Sequence, residues 1–237
     1  MAERSVIPFG PQHPVLPEPV HLDLVCEDET VVEAVPSIGF VHRGLEKLVE
    51  QKDFKQYVYI AERVCGICRF GHGMGGRVIF SVNCIGGVLK DLSDEQLKTL
   101  LKVIDEIEAE LKPILRTFLQ DYTVASRLRG LGVLSPDDAI AQGAVGPMLR
   151  ASGVSYDARM TGYAAYGALE MEPIISKDGD SYARCEVRLK ELLQSFDLIR
   201  QAVAKIPAGS IAVPVKGNPN GEYFNRIEQP RGEAFYY

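Results

Sequence analysis

The chain has 237 residues, 46% of them hydrophobic and 24% charged, an ordinary globular ratio that excludes a disordered, collagenous or coiled-coil rod protein. Lys plus Arg is 26 against 32 Asp plus Glu, a formal net charge of −6, so the bulk charge gives no footprint for nucleic acid. The longest charge-free runs, Ser5 to Pro17 and Val78 to Leu89, fall short of the roughly 20 apolar residues a spanning helix needs, or are broken by prolines.

No basic segment followed by an apolar one marks a secretory signal. Five cysteines, an odd and sparse count, argue against a secreted disulfide framework and for reduced thiols. The expected location is therefore the cytoplasm.

From the N-terminus, Pro8-Phe9-Gly10-Pro11-Gln12-His13-Pro14-Val15-Leu16-Pro17-Glu18-Pro19 cannot be helical, because it has too many fixed φ angles and missing donors. Val20, Leu22, Leu24 and Cys26 then alternate with His21, Asp23, Val25 and Glu27 at the period of a half-buried strand. Glu27 to Thr30 reads as a turn and Val31 to Val35 as the returning strand. His13 suits a loop hydrogen bond, and His42-Arg43-Gly44 a helix start before Leu45 to Glu50.

The middle of the chain is helical. Ser93 and Gln96 form a capping box for a helix toward Gln120. Its apolar stripe is Leu97, Leu100, Leu101, Ile104, Ile107, Leu111, Ile114, Leu115 and Phe118, with Pro113 inside it. Ser135-Pro136 opens a short helix. Asp180 caps a second long helix whose predicted inner face is Tyr182, Cys185, Leu189, Leu192, Phe196, Ile199 and Val203. Glu222 to Ile227 and Glu233 to Tyr237 read as a closing hairpin. The fold class is α+β, mainly α: a bundle of long helices with small N-terminal and C-terminal β-hairpins. A single domain over 1–237 is expected, with an N-terminal β region 1–40, a candidate metal segment 60–76, a helical body 90–206 and a C-terminal extended region 207–237.

The segment with most chemistry is Glu62-Arg63-Val64-Cys65-Gly66-Ile67-Cys68-Arg69-Phe70-Gly71-His72. On a helix, Cys65, Cys68 and His72 share one face. Two thiolates one turn apart can chelate a soft metal, while Arg63 and Arg69 lower the thiol pKa values. The spacing alone also admits a zinc half-site joined by Cys84, or a thioredoxin-like redox pair. A c-type haem needs His directly after the second Cys, and Arg69 stands there. Cys26, Cys84 and Cys185 show no ligand spacing and read as small core residues. Glu18, in its proline frame, is either a fixed proton carrier or an ordinary solvated carboxylate.

These motifs together resemble the large subunit of [NiFe] hydrogenases, and most closely the membrane-bound energy-converting group. That group is homologous to the quinone-site subunit of complex I, the NADH-quinone oxidoreductase. The resemblance rests on Gly10-Pro11-Gln12-His13-Pro14, Gly39 to Glu46, Arg63 to Cys68 with His72, and Gly143 to Pro147. It continues through Arg150-Ala151-Ser152-Gly153, Asp157-Ala158-Arg159, Asp180 to Arg184 and Glu228-Gln229-Pro230-Arg231-Gly232-Glu233.

The resemblance implies a hydrogenase-like fold and a nickel–iron centre, its iron carrying CO and CN ligands, held by Cys65 and Cys68. Cys68 would bridge the metals, His72 would hydrogen-bond that thiolate, and Glu18 would relay protons. Arg63 would join them as a catalytic residue. Dihydrogen would split heterolytically and electrons would leave through an iron–sulfur cluster in a partner small subunit. Membrane ion-translocating subunits would be further partners, attaching the chain peripherally to the inner face of the cell membrane.

The complex I counterparts typically have His-Gly at the place of Glu18 and lack the CxxC, so position 18 and both cysteines point to the hydrogenase side. Two departures stand against it. The chain lacks the family's second CxxC near the C-terminus, and it runs directly from Gly75 into Gly76-Arg77-Val78 where the family carries a long helical stretch. The alternatives are a complex I-like scaffold of a quinone site without nickel, and a non-catalytic remnant holding zinc at Cys65, Cys68 and Cys84.

Overall fold

A computed structural model describes residues 4–16, 19–61, 83–218 and 220–237. They fall into two compact units, residues 1–61 and 62–237.

The first unit is built on a three-stranded antiparallel sheet in the order β1-β2-β3, with β1 at Arg4–Phe9, β2 at His21–Glu27 and β3 at Thr30–Ser37. The expected hairpin is present as β2 and β3, turning at Asp28 in the left-handed conformation (φ 54°). The strand β1 extends it, pairing Ile7 with Leu24 and Pro8 with Asp23. Prolines make Arg4–Phe9 read poorly as a strand, yet β1 and β3 are edges. There Pro8 and Pro36 interrupt no central ladder. Leu22, Leu24 and Cys26 share the face of Ile7 and Phe9, and Cys26 is buried. His13 acts as the loop residue its setting predicts: its Nδ1 accepts from Val15 N at 3.3 Å and its ring lies on Phe9. Helix α1 (Leu45–Glu50) starts after Gly44, and α2 (Phe54–Ala61) follows.

The second unit holds the helical body: α3 (Asp94–Gln120), α4 (Tyr122–Leu128), α5 (Pro136–Ala141), α6 (Gly146–Ala151) and α7 (Ser181–Lys205). Two short antiparallel ribbons accompany them, β4 (Asn83–Cys84) with β5 (Gly87–Val88), and β6 (Asn225–Gln229) with β7 (Gly232–Tyr236). The fold class read from the sequence is thus present, closing hairpin included.

Local chemistry sets the helix ends. Ser93 Oγ accepts from Gln96 N while the Gln96 side chain accepts from Ser93 N, the reciprocal box that starts α3. Ser135 caps α5 with Pro136 in its first turn.

The core of this unit is small, centred on Ala151, Ala183 and Val187 with Ile174 packed against them. It corrects the expected inner face of α7. Tyr182 is buried as read, but the other buried residues are Ala183, Val187 and Leu198, while Leu192 and Ile199 are exposed. Periodicity finds the wider apolar arc. The inner side of α7 is instead the one whose small Ala183 lets α6 approach.

Asp180 is the pivot of α7. Its carboxylate accepts from Ala183 N and Gly130 N, both at 2.8 Å, and the residue is 5% exposed. Burial pushes its pKa up, but the N–H groups of Ala183, Gly130 and Tyr182 outweigh that and hold it below the usual value. Asp180→Ala removes the cap and the acceptor of Gly130 N, an expected loss of about 2 kcal/mol at neutral pH. Because the folded pKa is depressed, this contribution is complete above the ordinary carboxylate range and fades as pH falls through the folded value. Wild-type and variant stabilities should therefore converge on acidification. Denaturant titrations at neutral and acid pH check this, and an unchanging gap would contradict it.

Candidate functional site

The densest charged cluster among the described residues forms where α6, the turn after it, α7 and β6 meet. Arg150, near the end of α6, is 1% exposed. Its Nε donates to Glu191 Oε1 at 2.7 Å, and its Nη1 donates to Glu228 Oε1 at 2.8 Å and lies 3.0 Å from Asp157 Oδ2. Asp157, also 1% exposed, takes Arg159 side-on: Nε to Oδ1 at 2.9 Å and Nη2 to Oδ2 at 2.6 Å. Glu228 Oε2 accepts from Ala158 N at 3.1 Å, and the Tyr163 hydroxyl accepts from Glu228 N at 3.0 Å. Nearby, Tyr156 donates its hydroxyl to Glu233.

The elements explain the arrangement. Gly146 opens α6 with φ 64°, and a Cβ there would lie 2.3 Å from Gly232 Cα, so only glycine lets β7 lie against α6. That contact brings Glu228, on the paired strand β6, over Arg150. Ser176 N and Gly179 N bond the carbonyls of Arg150 and Ala151, which fixes the end of α6 to the segment leading into α7.

Two guanidinium groups thus face three carboxylates in a nearly dry space. The electrostatics differ residue by residue. Burial alone would raise Asp157, but its bonds from Arg159 reverse this and hold it low. Glu228 goes the other way: burial and the Asp157 charge outweigh the Arg150 bond and raise its pKa. The surroundings of Glu228 thus favour its protonated form, while those of Asp157 favour the ionised one. Glu228 borders an open cavity of about 470 Å³, whose walls include Arg159, Tyr166, Arg188, Glu191 and Leu192. A proton-accepting carboxyl beside a cavity with cationic and aromatic walls can hold or pass a proton.

Sequence alone gives none of these five charged residues a role, although Arg150, Asp157, Arg159 and Glu228 all stand in the family-like motifs. One signal is present: Asp157 and Arg159 carry opposite charges two residues apart, close enough to meet. Glu191 lies in the middle of a long amphipathic helix and carries no such mark.

The predicted site residues Glu18, Arg63, Cys65, Cys68 and His72 all lie outside the described residues. Cys26 is buried in β2, while Cys84 and Cys185 are half-buried. Among the described residues, no three His, Cys, Asp or Glu side chains are grouped to hold a metal ion. No described helix is long and apolar enough to cross a membrane.

Comparison with known proteins supplies the context for this geometry. A subunit of the F(420)H(2) dehydrogenase of Methanosarcina mazei is 27% identical over 315 positions, spanning 100% of this chain and 84% of the relative. The alpha subunit of the membrane-bound hydrogenase of Pyrococcus furiosus is 28% identical over 317 positions, spanning 98% and 74%. Both alignments run over more positions than the 237 residues available, so the relatives carry internal sequence with no counterpart here. A chain in the solved structure of the membrane-bound sulfane sulfur reductase, an archaeal respiratory membrane complex, shares the fold. Its TM-score is 0.86 at 24% identity, covering 98% of this chain and 84% of that one. The family described as respiratory-chain NADH dehydrogenase, 49 kDa subunit, matches residues 56–217, more than half of the chain, and the protein belongs to that family.

Proposed function

We propose that this chain is the large subunit of an energy-converting, membrane-attached oxidoreductase of the [NiFe] hydrogenase type. On this reading it passes electrons to an iron–sulfur partner subunit and sits peripherally on membrane subunits that move ions. The observation that carries the reading is the pair Cys65-Gly66-Ile67-Cys68, together with Glu18, in a chain related to a membrane-bound hydrogenase alpha subunit. Soft thiolates at this spacing suit nickel better than hard cations.

Cys26 is enclosed in its sheet, and Cys65 and Cys68 are the two thiols of the sequence at ligand spacing. Two do not complete a four-thiolate centre. These residues therefore do not by themselves fit the whole [NiFe] group.

A second reading follows from that shortfall: a complex I-like scaffold of a quinone site, without nickel, in line with the family that the chain matches. Elemental analysis of the complex as isolated separates the two. The hydrogenase reading expects stoichiometric nickel that Cys65→Ser abolishes, with assembly intact. An assembled complex free of nickel supports the scaffold reading, and zinc in place of nickel supports a structural half-site.

A further inference from the structure

Helix α7 carries Arg188, Glu191, Leu192 and Ser195 at i, i+3, i+4 and i+7, which places them on one face of the helix. That face is a wall of the cavity of about 470 Å³ beside the charged cluster. The other walls come from Arg159, Tyr166, Glu228 and Pro230. Cavities of roughly 300–1,000 Å³ take small organic molecules.

The charges around this cavity are unequally satisfied. Glu191 and Glu228 each give an oxygen to Arg150. Arg159 holds Asp157 through Nε and Nη2, which leaves its Nη1 as a free donor among the described residues. Arg188 is exposed and meets no carboxylate among the described residues. Its Nη1 donates to the Arg184 carbonyl at 3.2 Å, a neutral acceptor on its own helix. Beside this unpaired cation Leu192 is 46% exposed, and Tyr166 and Pro230 add further apolar surface.

A guanidinium without a counter-charge next to apolar walls fits a ligand with one anionic group and a hydrocarbon or ring body. A second negative charge is disfavoured, because Glu191 Oε2 meets no cation among the described residues and faces the same cavity. The neutral form that the surroundings of Glu228 favour leaves the three arginines facing two carboxylates, Asp157 and Glu191, an excess of one positive charge. We propose that this cavity binds a small organic monocarboxylate, its carboxylate on Arg188 and its apolar body against Leu192, Tyr166 and Pro230. The site uses neither Cys65 nor Cys68, so it stands apart from the question of nickel.

Calorimetric titration of the full chain with benzoate at neutral pH tests this, with benzyl alcohol and inorganic phosphate as comparators. Benzoate should bind saturably at one site per chain and about 10-fold tighter than either comparator. Arg188→Gln should weaken benzoate about 10-fold, and Leu192→Asp, which sets a negative charge in the apolar wall, by a similar factor. Both side chains are exposed, so the circular dichroism spectrum and melting temperature of each variant should match the wild type. Arg127→Gln removes an exposed arginine of α4 that does not line the cavity, and binding should not change. Three results would each overturn the proposal. These are no saturable binding of benzoate, binding of benzyl alcohol or phosphate as tight as that of benzoate, or a loss in Arg188→Gln no larger than that in Arg127→Gln.

Discussion

Replacing Arg150 with methionine is expected to destabilise the protein by about 3–5 kcal/mol, because removing one member of a buried ionic cluster leaves its partners uncompensated. Arg150 stands between Glu191, Glu228 and Asp157 at 2.7, 2.8 and 3.0 Å, and methionine fills its volume without neutralising any of them. Arg150→Lys should recover little. A single ammonium lacks the planar fork with which the guanidinium reaches carboxylates on both α7 and β6. The loss should also depend on pH. Glu228 has a raised pKa, so its ionised form costs stability increasingly as pH rises from the ordinary carboxylate value through the folded one. Asp157 has a lowered pKa, so its contribution is full above the ordinary value and is lost as pH falls through the folded one. In Arg150→Met, protonating Glu228 relieves part of the damage, so mild acid should narrow the gap to the wild type. Urea unfolding across that range is the measurement. A change below about 1 kcal/mol would place the cluster among ordinary surface pairs.

The second large effect is expected from Gly146→Ala. The new Cβ would stand 2.3 Å from Gly232 Cα and 2.7 Å from the Arg231 carbonyl oxygen, both backbone atoms that cannot swing aside. The left-handed φ adds strain of its own. Together these should cost about 3 kcal/mol or more, through the hairpin β6–β7 lifting from α6. Gly232→Ala strikes the same contact from the other side, its Cβ meeting Gly146 N at 2.9 Å. The two losses should then be non-additive, the double variant falling well short of their sum. Full additivity by chemical denaturation would show that the two glycines serve separate purposes.

Much of this fold is legible in the residues because its signals are local. Ser93 and Gln96 start α3, Ser135 and Pro136 start α5, and Asp180 starts α7 wherever the rest of the chain goes, since each completes bonds within one turn. The β2–β3 hairpin shows through alternation. The strand β1 does not, because prolines hide a strand that only its edge position permits. The inner face of α7 is also invisible to periodicity. It is set by a small residue, Ala183, at which another helix comes close, rather than by the most apolar arc.

The candidate site divides along the same line. By itself the sequence determined the capped helices, the two hairpins, the class of fold, the family likeness and the thiol pair at Cys65 and Cys68 with Glu18. The caps, the hairpins and the thiol pair each rest on residues near one another in the chain. Only the tertiary structure decided that Arg150, Asp157, Arg159, Glu191 and Glu228 share one dry cluster beside a cavity. Although Asp157 and Arg159 are two apart, Arg150 is 78 positions from Glu228 and 41 from Glu191. Charges that distant have no local pattern. Their energies depend on burial and on distances set by a glycine contact between a helix and a hairpin, which exist only once the chain is folded.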